Sequence, residues 1–214
     1  MSLSFLPQIE SRLWRKSRST AYSDIPECVG VDLNRNFGFE WNDSPLYGGS
    51  SNPCSGTYSG PHSFSEPETR NLRDLLLSNK DAIKGYLTFH SFGQFFLYPW
   101  GFSSDVDIED ERDLVDPAAG ASDDYVRGTV GVKYAYTVEL PPHESSSYGF
   151  LLPEEEVKTI VSDTWDGVKA FAFHLHKHVY TPRERYFLDM LLNIANNSLN
   201  LLENNTALNT ENAS

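Results

Sequence analysis

Residues 28–37, Cys28-Val-Gly-Val-Asp-Leu-Asn-Arg-Asn-Phe37, decide how the rest of the chain is read. An apolar run, Val29 to Val31, gives way to a polar cluster of Asp32, Asn34, Arg35 and Asn36. A buried parallel strand delivers side chains to a site at its carboxyl end in this way. Arg35 offers a fork of donors and Asn34 an amide, a pair suited to gripping a carboxylate. A polar loop with a structural arginine is the alternative, and only the surrounding chain separates the two.

Further strands lie on the carboxyl side. Gly85-Tyr-Leu-Thr-Phe-His-Ser reads as a buried strand ending at His90 and Ser91, and residues 95–101 as an aromatic strand or turn. Residues 132–140 read as another strand, ending at Glu139. Helices separate them. Ser65-Glu-Pro-Glu predicts a helix start with Ser65 as N-cap and Glu68 at the third position. Leu72, Leu75, Leu76 and Ile83 are its expected buried stripe. A last long helix is expected from Pro153 to about His178. Alternating strands and helices predict an α/β domain, with a mixed, mostly parallel sheet flanked by helices. Residues 38–60 form a long loop rich in Gly, Ser, Asn and Pro, and such loops are usually functional or mobile. From Thr181 the chain turns rich in Asn and Leu, predicting a weak helix to about Leu202 and disorder beyond.

Composition narrows the function. A formal net charge of −13 over 214 residues leaves no basic stripe for a phosphate backbone, so no nucleic-acid partner is expected. No apolar run approaches the roughly 20 residues that span a bilayer. The first ten residues lack the basic start and apolar core of a signal peptide, so the chain as written does not direct its own secretion. Cys28 and Cys54, the only two cysteines, are compatible with reduced thiols or with one disulfide.

Asn34-Arg35, His90 and Glu139 each close a predicted strand. In an open α/β sheet such residues converge on one crevice. A carboxylate clamp, an imidazole able to bind metal and a possible general base together suggest metal-assisted hydrolysis of something with a free carboxylate.

Eight segments extend this into a family resemblance. They are Arg12-Leu-Trp-Arg-Lys-Ser-Arg, Cys28-Val-Gly-Val-Asp-Leu-Asn-Arg-Asn, Pro53-Cys-Ser-Gly-Thr-Tyr, His90-Ser-Phe-Gly-Gln, Tyr98-Pro-Trp-Gly, Ala121-Ser-Asp-Asp-Tyr, Lys133-Tyr-Ala-Tyr-Thr-Val-Glu-Leu and Tyr148-Gly-Phe-Leu-Leu-Pro. In this order they resemble the zinc carboxypeptidases, in the pancreatic A/B branch of the M14 family, from about Ser11 to His178. The resemblance implies zinc as cofactor and peptide or protein C-termini as partners. It implies that His90 is a zinc ligand and that Glu139 is the catalytic glutamate, moving a proton from zinc-bound water to the leaving amine. It implies that Arg15 stabilises the oxyanion and that Asn34 and Arg35 hold the terminal carboxylate. Asp123 falls near the specificity position, where an acidic residue favours C-terminal Lys or Arg; a loop Asp capping a turn is the competing reading. Cys28 and Cys54 match a disulfide of this branch, which implies a secreted, extracellular protein.

The chain also departs from the pattern. The family takes its first two zinc ligands from a His-x-x-Glu motif upstream of Trp-Arg-Lys, and no His-x-x-Glu occurs anywhere in this sequence. The expectation is a truncated carboxypeptidase: an unrelated stretch over 1–10, a partial catalytic domain over 11–180 and a tail over 181–214. A second gap is expected between Ser104 and Leu114, placing Asp116 where the family carries a mobile tyrosine. Such a chain is expected to be inactive alone; a non-catalytic binder of C-termini and a fragment that does not fold stably are the alternatives. His174 and His178 form an i, i+4 pair with metal-binding spacing, although complementing the helix dipole accounts for histidines at a helix end.

Overall fold

The computed structural model describes residues 12–22, 24–42, 44–102, 118–186 and 188–190. Its mixed sheet has three strands in the order β1-β3-β2. β1 is Gly85–Gly93, β2 is Phe95–Leu97 and β3 is Tyr134–His143. β1 runs parallel to β3, with Gly85 opposite Tyr134 and His90 opposite Glu139. β2 returns antiparallel on the other side of β3, placing Phe95 also opposite Glu139. Gln94, between β1 and β2, takes φ +65° and reverses the chain there.

Helices join these strands. α1, Pro67–Ser78, starts with Pro67 at its first position, where a missing N–H costs nothing. The expected N-cap is displaced by one residue. Glu66 holds that position without a side-chain cap bond, because Ser65 Oγ is occupied by the Asn36 amide and by Glu66 Oε1. The apolar stripe is narrower than its periodicity suggests: Leu76 is buried and Leu72 and Ile83 pack partly, whereas Leu75 is exposed. α2 is a single turn, Ser122–Tyr125, continued by a wider turn over Val126–Val130 that ends on Gly131 at φ +86°. The core gathers Phe37, Leu76, Tyr125, Val126, Val130, Val132 and Ala135, with Phe37, Phe64 and Tyr125 packed ring against ring.

Residues 28–33 are not a strand of the sheet, contrary to the sequence expectation. Gly30 sits at φ +82°, and an added Cβ there would lie 2.0 Å from the Ser17 carbonyl oxygen. That kink and close approach break any ladder. Backbone bonds run instead from Ser17 N to Val31 O (2.8 Å), Gly30 N to Ser19 O (2.8 Å) and Asp32 N to Tyr58 O (2.8 Å). Val31 is still completely buried and Val29 half-buried, which is why the run reads like a strand.

A disulfide joins Cys28 to Cys54. It anchors the 38–60 loop, whose one regular piece is a 3-10 turn at Pro45–Tyr47.

By its contacts the chain forms two compact units, residues 1–160 and 161–214. α3, Glu154–His178, begins in the first and continues through the second. After it, Thr181 and Glu184 form a reciprocal cap: Thr181 N donates to Glu184 Oε2 (2.7 Å) and Glu184 N to Thr181 Oγ1 (3.3 Å). Helical residues 182–186 follow, and the tail beyond Met190, like Asp116, lies outside the described residues. Among the described residues no helix is long and apolar enough to cross a membrane.

Candidate active site

Asp32 organises the segments expected to form a carboxylate clamp. It is the N-cap of a 3-10 turn at Leu33–Arg35, where Oδ1 accepts from Asn34 N at 3.1 Å. Its Oδ2 accepts from Arg15 Nε at 2.7 Å. One buried carboxylate thus holds two segments 17 residues apart. Ser17 reinforces the join: its Oγ accepts from Val31 N (3.0 Å) and donates to the buried Glu66 Oε2 (2.8 Å). The Arg15 segment is therefore fixed against the segment carrying Asn34 and Arg35.

Each clamp side chain is oriented by part of its hydrogen-bonding capacity. Arg35 donates through Nε to Gly48 O (2.9 Å) and through Nη1 to Asn34 O (2.9 Å). Asn34 Oδ1 accepts from Ser122 N at 3.0 Å, which turns its NH2 group away from the start of α2. Burial lowers the pKa of Arg35 from its ordinary value, opposed by Asp32 and Asp123 and assisted by Arg15. Desolvated yet still flanked by carboxylates, this guanidinium is suited to an anionic ligand.

The sheet contributes the second half. Parallel register sets His90 and Glu139 side by side on β1 and β3. Burial lowers the pKa of His90, with Asp123 the largest opposing influence and Arg15 also lowering it. Neutral imidazole is the form that binds metal. Its Nε2 lies 3.0 Å from Thr88 Oγ1. Burial raises the pKa of Glu139 and Arg15 opposes this, while Glu139 Oε2 is buried with no hydrogen-bond partner among the described residues. An orphaned carboxylate oxygen is costly in a fold and typical of a group that acts on a ligand.

Asp123 is on α2 and buried, its pKa raised by desolvation against a hydrogen bond to Thr137. It interacts electrostatically with His90 and Arg35, so α2 brings it to the same crevice. Its neighbour Asp124 accepts from Gly101 N with both oxygens (3.0 and 3.2 Å), and burial pushes its pKa up to about 7. Hydrogen bonds join Arg15 and Asn34 to Asp32 and Arg35 to Asn34, the β1–β3 register pairs His90 with Glu139, and charge interactions relate Asp123 to His90 and Arg35 and Arg15 to Glu139.

Zinc does not fit the described residues by themselves. Among them no three His, Cys, Asp or Glu side chains converge on one point. Both cysteines are in the disulfide. His90 is one donor where a catalytic zinc takes three.

Comparison with known proteins decides the lineage. The family model described as zinc carboxypeptidase, Peptidase_M14, matches residues 5–116 and 112–167. This chain belongs to the zinc carboxypeptidase family. Carboxypeptidase B of Astacus astacus is 41% identical over 189 residues, covering 76% of this chain and 60% of that protein. Carboxypeptidase B of Homo sapiens is 34% identical over 197 residues, covering 80% and 45%. Zinc carboxypeptidase A 1 of Drosophila melanogaster is 38% identical over 190 residues, covering 76% and 42%. The chain therefore spans about half the length of the relatives it matches.

Solved structures agree. Thrombin-activatable fibrinolysis inhibitor superposes with a TM-score of 0.67 at 32% identity, over 78% of this chain and 48% of that one. The bovine form of that protein, in complex with a tick carboxypeptidase inhibitor, gives 0.66 at 30%, over 78% and 64%. Carboxypeptidase A from Helicoverpa armigera gives 0.63 at 32%, over 75% and 46%. The mixed sheet and flanking helices of this chain are thus those of its family.

Sequence reasoning named Arg15, Asn34, Arg35, His90, Asp123 and Glu139 and passed over the residues that hold them. Asp32 was legible as a member of the polar cluster, and the Asp-x-Asn spacing is the signature of a side chain bonding the backbone two residues on. Ser17, Asn36 and Glu66 carried no such signal, since their partners are remote in sequence.

Proposed function

We propose that this chain carries the substrate-holding half of a metallocarboxypeptidase site and binds peptide C-termini. Asn34 and Arg35 grip the terminal carboxylate, and Arg15 faces the carbonyl oxygen of the last peptide bond. Glu139 is the proton-transfer group, His90 the imidazole ligand and Asp123 the partner for a C-terminal Lys or Arg side chain. The observation that carries this reading is the pair of hydrogen bonds accepted by Asp32, from Arg15 Nε and from Asn34 N, which holds the two arginine-bearing segments together as one anion-binding surface.

Hydrogen bonds to a charged group contribute roughly 1.5–3 kcal/mol, or about 10- to 100-fold in affinity. A peptide ending in free lysine should therefore bind that much more tightly than its C-terminally amidated form, as read by fluorescence titration. Arg35→Ala should erase the difference. Equal binding of acid and amide to the unaltered chain would remove the clamp.

We also propose that these 214 residues hydrolyse no peptide alone, because one imidazole neither retains a catalytic zinc nor activates its water. Incubating the chain with zinc and a Lys-ended peptide should release no free lysine. Release that Glu139→Gln abolishes would show the site to be complete. The disulfide supports an extracellular location, since such bonds persist in oxidising compartments.

A further inference from the structure

We propose that the carboxyl end of α3 carries a divalent transition-metal site formed by His174 and His178, independent of the crevice. The two side chains stand four residues apart on one face of a 25-residue helix. Their rings are neighbours, with centroids 4.6 Å apart and planes tilted by 34°. Two imidazole nitrogens bound to one zinc each lie about 2.0–2.1 Å from it, so they must come within about 4 Å of each other. Rings at this separation reach that by side-chain rotation alone, with the helix as a fixed scaffold. Both residues are exposed, so an ion enters without unfolding and keeps water on its remaining positions.

The surroundings favour a cation. The last turn of a helix presents carbonyl oxygens with a negative field. The field that accommodates a protonated histidine equally accommodates a metal ion, so the dipole reading of these residues and the metal site are compatible. His176 is excluded by geometry. Residues two apart do not share a helix face, and its Nε2 faces Asp189 Oδ1 at 3.2 Å. The site therefore has two protein ligands rather than three, consistent with no three-ligand cluster among the described residues. Imidazole pairs suit Cu2+, Ni2+ and Zn2+ and reject oxygen-seeking Mg2+.

The test is calorimetric titration of the full chain with Zn2+, Cu2+ and Mg2+ in a non-chelating buffer. The expected result is saturable binding of one ion per chain, tightest for Cu2+ and absent for Mg2+. Losing a partner behind a ligand typically weakens a metal site by about 10- to 100-fold, so His174→Ala and His178→Ala should each weaken binding at least about tenfold. His90→Ala and His176→Ala should leave it unchanged. Absence of saturable Zn2+ and Cu2+ binding overturns the site. So does retention of full affinity in both His174→Ala and His178→Ala, or its loss in His90→Ala, which would assign the ion to the crevice. The exposed variants are checked by circular dichroism, and a loss of affinity with unchanged helicity supports ligation.

Discussion

Asn36→Ala is expected to remove about 2–6 kcal/mol of folding stability from the crevice wall. Asn36 is 0% exposed, and its amide is a hub. Nδ2 donates to Ser59 O (2.8 Å), His62 O (3.1 Å) and Ser65 Oγ (3.0 Å). Oδ1 accepts from Glu66 N (3.3 Å) and Thr69 Oγ1 (2.8 Å). Some partners have second bonds: Thr69 Oγ1 also donates to Glu66 O, and Ser59 O also accepts from Trp41 Nε1. Glu66 N and His62 O have no such alternative in this network. Each buried group left unpaired costs roughly 1–3 kcal/mol. Urea unfolding of the variant would measure this. A loss below about 1 kcal/mol would mean that the network re-pairs around the gap. Because Asn36 directly follows Arg35, carboxylate binding should fall with stability.

Removing the Cys28–Cys54 bond by the double change Cys28→Ser and Cys54→Ser should cost about 3.5 kcal/mol, from the entropy of a loop closed across 26 residues. The effect should reach the clamp as well. The bond tethers the loop containing Gly48, whose carbonyl receives Arg35 Nε. The same loop receives Lys16 Nζ at Pro53 O and supplies Tyr58 O to Asp32 N. Thermal unfolding with and without reductant, beside the acid-versus-amide peptide titration, separates the consequences. The expected result is a lower melting temperature together with a smaller preference for the free acid. An unchanged preference would show that Arg35 is held without the loop.

The sheet and the two longer helices were legible because their signals are local. β1, β2 and β3 carry runs of β-branched and aromatic residues, and α1 and α3 begin at prolines preceding acidic residues. The 28–33 segment misled for a physical reason. Val31 is apolar because it is buried, with Val29 half-buried beside it, and burial was mistaken for pairing. Gly30 held the contrary information, visible only once Ser17 is known to press against it. Leu75 likewise satisfies the helical period yet faces outward, because the α1 stripe that meets the core is narrower than the period allows. For the site, the resemblance supplied the candidate residues, and the structure supplied the carboxylates and amides behind them. Those supports join Ser17 to Glu66 and Asn36 to Thr69, separations over which one sequence gives no pairing rule.

The facing of His90 and Glu139 across β1 and β3 has a consequence for how this lineage can vary. Two residues paired in a parallel ladder keep their spacing whatever the length of the chain between them, since the backbone hydrogen bonds set the distance. The connection is long by necessity, because parallel neighbours require a crossover. Here it contains residues 112–116, where the two segments matched by the family model overlap. Lengthening or shortening that excursion would leave the pairing of His90 with Glu139 untouched. The ladder acts as a ruler, letting the excursion diverge while the paired chemistry holds its dimensions.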